Sequence, residues 1–180
     1  MKKTILSLAL VLVTGSMFAQ KKTTTSATIG FDATTSLDKL PKADNKTAIA
    51  SLDTKTGKLA FEITIKSFTF SNPRIQEHFN SEGWMNSDKF PTATFNGNIT
   101  NLKAVNFSKN GTYPVTVKGE LSIHGVVKPI EATGSIVVNG TGIKASSDFS
   151  IKLEDYGVNG GAIAAGKVSK EPTINVSAEF

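Results

Sequence analysis

Few side chains in this 180-residue chain could perform chemistry, and their spacing argues against most of it. The two histidines, His78 and His124, belong to no His-x-His or His-Glu-x-x-His pair, and no carboxylates gather around either. A multi-histidine metal site is thereby excluded, because such sites draw three or four ligands together. The absence of cysteine removes disulfides, thiolate metal sites, iron–sulfur clusters and cysteine nucleophiles. Gly161-Ala-Ile-Ala-Ala-Gly166-Lys167 has the spacing of a phosphate-binding loop, but Val168 stands where that loop needs a hydroxyl for magnesium. It reads instead as a flexible glycine-rich loop between the last strands. Glu154 and Asp155 are adjacent, so a strand would send them to opposite faces, where they cannot work as paired acid and base. His124, beside Gly125, reads as a turn residue, and no Gly-x-Ser-x-Gly elbow occurs. The expectation is no catalytic residue, no metal and no cofactor.

Charge adds little. The 20 basic and 15 acidic residues give a formal net charge of +5, and Arg74 is the sole arginine. The lysines are spread along the chain rather than clustered with aromatics, so nucleic-acid binding is not expected. Residues 1–19 carry a basic start (Lys2, Lys3), an apolar stretch from Ile5 to Val13, and Ala19 before Gln20. That sequence reads as a secretory signal cleaved near Ala19, leaving residues 20–180 as one domain in the periplasm or outside the cell. No apolar run approaches the roughly 20 residues that span a bilayer, so no transmembrane segment is expected in the mature chain. Six Asn-x-Ser/Thr triplets, the first at Asn45, fall in a chain rich in those residue types and carry no assignment.

The elements that must position any site are mostly strands. Leu59, Phe61, Ile63 and Ile65 alternate with Lys58, Glu62, Thr64 and Lys66. The same period recurs over Ala93–Ile99, Val115–Ile123, Ile130–Val138, Ile143–Leu153 and Ile174–Phe180. One apolar and one polar face per strand is the mark of antiparallel sheets. Weaker runs near Ser26–Phe31 and Thr47–Leu52 bring the total to about eight strands, an all-β barrel or sandwich. Asn110-Gly111, His124-Gly125 and Asn139-Gly140 supply turns between them. Asn72-Pro73 opens a short helix near residues 73–80, with Asn as cap and Pro at the first helical position. Ile75 and Phe79 share one of its faces, Arg74 and His78 a neighbouring one, and the following loop carries Trp84, the single tryptophan. The inward positions mix Gly and Ala with Phe, Leu and Ile. That alternation fits two interiors equally, a filled taper or a channel for one slender apolar ligand.

Several stretches resemble the YceI-like family. They are Ser67-Phe-Thr-Phe-Ser-Asn-Pro-Arg74 with His78-Phe79, then Trp84 and Phe90-Pro-Thr-Ala-Thr-Phe95, and then Val117 to Ile130 with its Gly-Val-Val-Lys-Pro segment. Phe149 to Gly157 and Val168 to Phe180 are similar to the family's last two strands. The resemblance implies an eight-stranded antiparallel lipocalin-like barrel that binds a polyisoprenoid, an isoprenoid quinone or a similar lipid. The partner expected is therefore an apolar lipid, with a homodimer left open as an assembly. Phe61, Ile63, Phe68, Phe70, Phe79, Trp84, Phe95, Leu121, Phe149 and Ile151 are the candidate channel residues, and Arg74 and His78 the candidate head-group contacts. The rival reading is a barrel with a filled core that works through its surface.

Overall fold

The structure, a computed structural model, describes residues 21–180; the expected signal segment lies outside the described residues. Strands β1 (Lys21–Asp32), β2 (Lys42–Asp53) and β3 (Lys58–Thr64) come first, followed by a two-residue strand β4 (Thr69–Phe70) and helix α1 (Pro73–Asn80). After them run β5 (Thr92–Ile99), β6 (Gly111–Ile123), β7 (Val126–Asn139) and β8 (Gly142–Ser150), then a one-turn helix α2 (Gly161–Ala164) and β9 (Thr173–Glu179). All pairings are antiparallel, in the order β1-β9-β8-β7-β6-β5-β3-β2, and β1 also pairs with β2. Among the described residues eight strands thus close on themselves, each paired on both sides, while the two-residue β4 pairs with β2 alone. The barrel outcome, rather than a sandwich, is what the family resemblance implied.

The alternation read in the sequence becomes the two faces of the wall. Leu59, Phe61 and Ile63 of β3 are buried while Lys58, Glu62 and Thr64 are exposed. The hairpin joining β6 to β7 turns on His124 and Gly125, with φ of 53° and 75°. Two successive positive φ values make the mirror-image turn whose twist suits adjoining strands. The His124 Nδ1–H donates to the Tyr156 carbonyl at 3.1 Å, and the ring meets Phe90 edge-on at 4.6 Å. Its role is to pin the hairpin, in keeping with a turn residue.

One interruption shapes the mouth. β2 pairs first with β3 (Leu52↔Leu59 to Ile49↔Glu62) and then with β4 (Asp44↔Thr69, Ala43↔Phe70). Between these ladders the chain makes a 3-10 turn over Ile65–Ser67. Asn45 fills the gap with its side chain 0% exposed: its amide donates to the Thr64 carbonyl at 3.0 Å, and its oxygen accepts from the Thr47 N–H at 2.9 Å and the Thr47 hydroxyl at 3.2 Å. A buried polar side chain is tolerated there because it satisfies backbone groups that the broken ladder leaves over. The turn delivers the chain into α1, whose Asn72 cap accepts from the Arg74 N–H at 3.0 Å. The helix therefore begins and ends where the sequence placed it. Two other segments differ from expectation. β8 stops at Ser150 because residues 153–156 coil into a 3-10 turn, and the glycine-rich loop after it contains the single turn α2.

Candidate functional site

The barrel encloses an apolar cavity of about 100 Å³. Phe61 and Ile63 reach it from β3, Phe95 from β5, Leu121 from β6 and Phe149 from β8, while Ile130 and Ala132 line it from β7. Phe95 sits between Phe61 and Leu121 across the sheet, so three large apolar side chains form a row on one wall. Phe95 and Phe149 are only half-buried although they point inward, as are Ile130, Ile174 and Val176. Room for the Phe95 ring comes from the Gly97↔Gly119 pair beside it. A Cβ on Gly119 would fall 2.7 Å from the Phe95 Cζ, and one on Gly97 would lie 2.5 Å from the Lys118 carbonyl oxygen. Glycine at both positions is what lets the ring rest there.

A second cavity, of about 260 Å³, opens at the mouth beneath α1. Phe31, Phe70, Ile75, Phe79, Trp84 and Val168 give it an apolar floor, and Arg74, His78, Lys167 and Asp38 edge it. Ile29 lines the barrel cavity and Phe31 the mouth cavity, so the two are neighbours on one face of β1, roughly 7 Å apart for two residues of strand. An aromatic cluster backs the mouth cavity. Phe79 lies 5.8 Å from Phe31, 5.7 Å from Phe68 and 4.9 Å from Phe70, ring centre to ring centre, in tilted or edge-on contact. Such geometry favours aromatic rings over stacked faces and holds the helix to the strands.

The candidate channel residues thus divide. Phe61, Ile63, Phe95, Leu121 and Phe149 line the barrel cavity, whereas Phe70, Phe79 and Trp84 line the mouth together with Arg74 and His78. Phe68 and Ile151 are buried and line neither, Phe68 serving as a support for Phe79. Lys167 was not singled out in the sequence, where it looked like the tail of a glycine-rich loop. Among the described residues, no three His, Asp or Glu side chains come together as a metal site would need. A third cavity, between the 3-10 turn at 153–156 and α2, is edged by Lys152, Glu154, Lys170 and Glu171 in balanced charge.

The sequence pattern of the YceI-like domain matches residues 13–180. The chain belongs to the YceI-like family. A curated relative, a UPF0312 protein of Shewanella denitrificans, is 24% identical over 123 residues, which are 64% of this chain and 60% of that protein. The match spans less than two thirds of the relative's length. Among solved structures of similar fold, a polyisoprenoid binding domain from Saccharophagus degradans superposes with a TM-score of 0.74 at 13% identity, covering 89% of this chain and 97% of that one. BcnA of Burkholderia cenocepacia gives a TM-score of 0.69 at 18% identity over 86% and 96% of the two chains. A Campylobacter jejuni YceI protein gives 0.56 at 22% identity, over 74% and 79%. At these identities the likeness establishes a shared fold. Within this YceI-like barrel, no helix among the described residues is long and apolar enough to cross a membrane.

Asp32 and Tyr156 depart from their ordinary behaviour. The Asp32 carboxyl is held below 3.8, first by the Thr34 hydroxyl at 2.8 Å; burial opposes this as the next largest effect, and the Thr34 N–H at 3.0 Å and the Lys42 ammonium at 3.2 Å add to the lowering. Tyr156 is pushed above 10 by burial and by the neighbouring Asp155 carboxylate. Neither lines a cavity, so both serve the frame rather than the site.

Proposed function

We propose that this protein binds and carries a long apolar lipid, a polyisoprenoid or an isoprenoid quinone, within the barrel and performs no chemistry on it. The observation that carries this reading is the apolar cavity inside a closed wall, lined by half-exposed Phe95 and Phe149. Apolar side chains facing unfilled space are uncommon in close-packed interiors. The shared fold with the Saccharophagus degradans polyisoprenoid binding domain supports the same reading. The driving force is burial, about 0.8 kcal/mol for each methylene withdrawn from water, so a long chain needs few polar contacts. An apolar cavity of roughly 150 Å³ accepts one benzene, and the 100 Å³ here is smaller. Uptake of a full-length lipid therefore requires the phenylalanine rings to swing aside. The protein acts outside the cytoplasm, after cleavage near Ala19, where a lipid in transit needs cover from water.

The test is native mass spectrometry of protein expressed with its own leader and purified from the secreted fraction, followed by organic extraction. A stoichiometric apolar adduct supports the carrier reading and names the lipid. A bare protein mass that persists after incubation with quinones and polyprenols refutes it, leaving a barrel that works through its surface.

A further inference from the structure

We propose that the loop joining β1 to β2 docks the protein on a membrane, pressing Leu37 and Leu40 into an anionic lipid surface. The inference goes beyond the carrier reading and does not depend on it. Four large apolar side chains are exposed among the described residues: Leu37, Leu40, Ile49 and Val127. Ile49 and Val127 stand singly on β2 and β7, as scattered surface residues commonly do. Leu37 and Leu40 are three residues apart in one loop, 72% and 46% exposed. Leu37 reaches across to the segment after α2, where a Cβ on Gly166 would lie 3.6 Å from its Cδ1. Ala164 and Ala165, just before that glycine, are exposed too. Together they make a small apolar patch at one end of the barrel.

The loop is built to hold its leucines outward. The Thr35 hydroxyl accepts the Leu37 N–H at 3.1 Å and the Asp38 N–H at 3.2 Å, and the Asp38 carboxylate accepts the Leu40 N–H at 2.8 Å. The Thr35 N–H donates to the Asp38 carbonyl at 2.8 Å, and the Ala33 N–H to the Pro41 carbonyl at 2.9 Å. These bonds matter because a backbone N–H that leaves water unpaired costs free energy. The donors of both leucines are already satisfied, so the tip can enter the head-group layer without stranding them. Charge agrees with this. Lys39 lies between the leucines and Lys167 follows Gly166; both are exposed, and neither takes part in an ion pair among the described residues. Lysines flanking apolar side chains suit anionic head groups above an acyl layer. A second copy of the chain suits the patch less, since a standard protein interface buries about 800 Å² per partner. Two leucines and two alanines offer far less, whereas a bilayer demands no shape match. Such contact is weaker than an acyl anchor and therefore reversible. Asp38 and Pro41 also line the mouth cavity, so docking sets that opening against the bilayer.

The test floats the delipidated full mature chain with phosphatidylcholine vesicles, with and without phosphatidylglycerol. Because the chain has no cysteine, Ser36→Cys and Thr141→Cys each place one environment-sensitive dye, the first beside Leu37 and the second in the β7–β8 turn at the opposite end. Anionic vesicles are expected to shift the dye at 36 to the blue and leave the dye at 141 unchanged. Leu37→Ser/Leu40→Ser weakens binding by about tenfold per leucine, with a thermal melt to check the fold. Lys39→Gln/Lys167→Gln costs about fivefold per lysine on anionic vesicles and little on neutral ones. No binding to anionic vesicles overturns the inference. So does binding that the double serine variant leaves intact, or that shifts both dyes alike. A dimer seen by light scattering and lost in the serine variant also overturns it, in favour of a second copy on this patch. Docking by a chain that proves to carry no lipid leaves the inference standing while the carrier reading falls.

Discussion

Replacing Ala132 with Leu tests whether the lumen is open. Ala132 points into the barrel cavity from β7, opposite Val117 of β6, and the cavity it lines measures about 100 Å³. Empty apolar volume in a core costs roughly 24 cal/mol per Å³, so filling this one recovers up to about 2.4 kcal/mol. The three added carbons give the same figure from burial, at about 0.8 kcal/mol each. Leucine surrenders roughly 0.5–1 kcal/mol of side-chain freedom on ordering, which leaves a net gain of about 1.5 kcal/mol. For a domain of this size the melting temperature then rises by about 3–6 °C. The same leucine occupies space that a lipid would use, and three displaced methylenes weaken binding roughly 50-fold. The assays are thermal and urea melts of delipidated protein, and lipid retention by extraction after purification. A loss of a kilocalorie or more would mean that the leucine overpacks an interior already full. A more stable variant that retains lipid as before would place the ligand somewhere other than the lumen. Either result refutes the reasoning.

Asn45→Ala removes three hydrogen bonds and leaves the Thr64 carbonyl and Thr47 N–H without their partner, for an expected loss of about 2–4 kcal/mol in urea melts. A loss below half a kilocalorie would show that water replaces the amide. Gly97→Ala drives a Cβ against the Phe95 ring and the Lys118 carbonyl; the expected cost is about 1–3 kcal/mol, together with reduced lipid retention as the ring tips into the lumen. Unchanged stability would mean that the ring moves freely. Asp32 contributes stability that is complete above its unfolded value near 3.8 and is lost as pH falls through its lower folded value. Thr34→Ala removes the largest cause, so the carboxyl resonance of Asp32 should titrate at higher pH by NMR, and an unmoved midpoint would discount that hydroxyl. Tyr156, raised above 10, binds its proton longer in the folded state, so stability falls as pH climbs past 10 and Tyr156→Phe flattens that fall in alkaline melts.

How much of this was legible depended on how local the determinants were. Helix α1 was readable to the residue because its start is written in two adjacent residues, Asn72 and Pro73. Strands β5 to β7 were readable because their alternation is unbroken and one face of each meets the core. β1 and β2 showed only in part. Alternation in β2 breaks at Lys46 and Thr47, both exposed, where the β1–β2 register shifts and Asn45 turns inward. In the sequence Asn45 was one Asn-x-Ser/Thr triplet among six, with nothing to mark it as a buried bridge. The inward phenylalanines could be named from period two alone, but not assigned to one cavity or another. That division depends on the 3-10 turn at 65–67 and on α1 folding back over β1, which are long-range events. Lys167 carried only the phosphate-loop spacing that Val168 spoils, and nothing local placed it beside α1.

The wall and its contents have different freedoms, and that difference decides how the barrel could take a guest. Every strand of the ring is paired on both sides, β1 with β2 and β9 included, so the circumference cannot widen without breaking a ladder of backbone hydrogen bonds. Space must come from side chains. Phe95 lies over a glycine pair and is half-exposed toward the lumen, and Phe149 is half-exposed on the far wall, so each can change rotamer without moving backbone. Phe79 differs, being packed by three other rings and buried. Rearrangement is therefore easier in the lumen than around Phe79. On the proposed carrier reading, capacity would be set by the rings on β5 and β8, and access by the ring on α1.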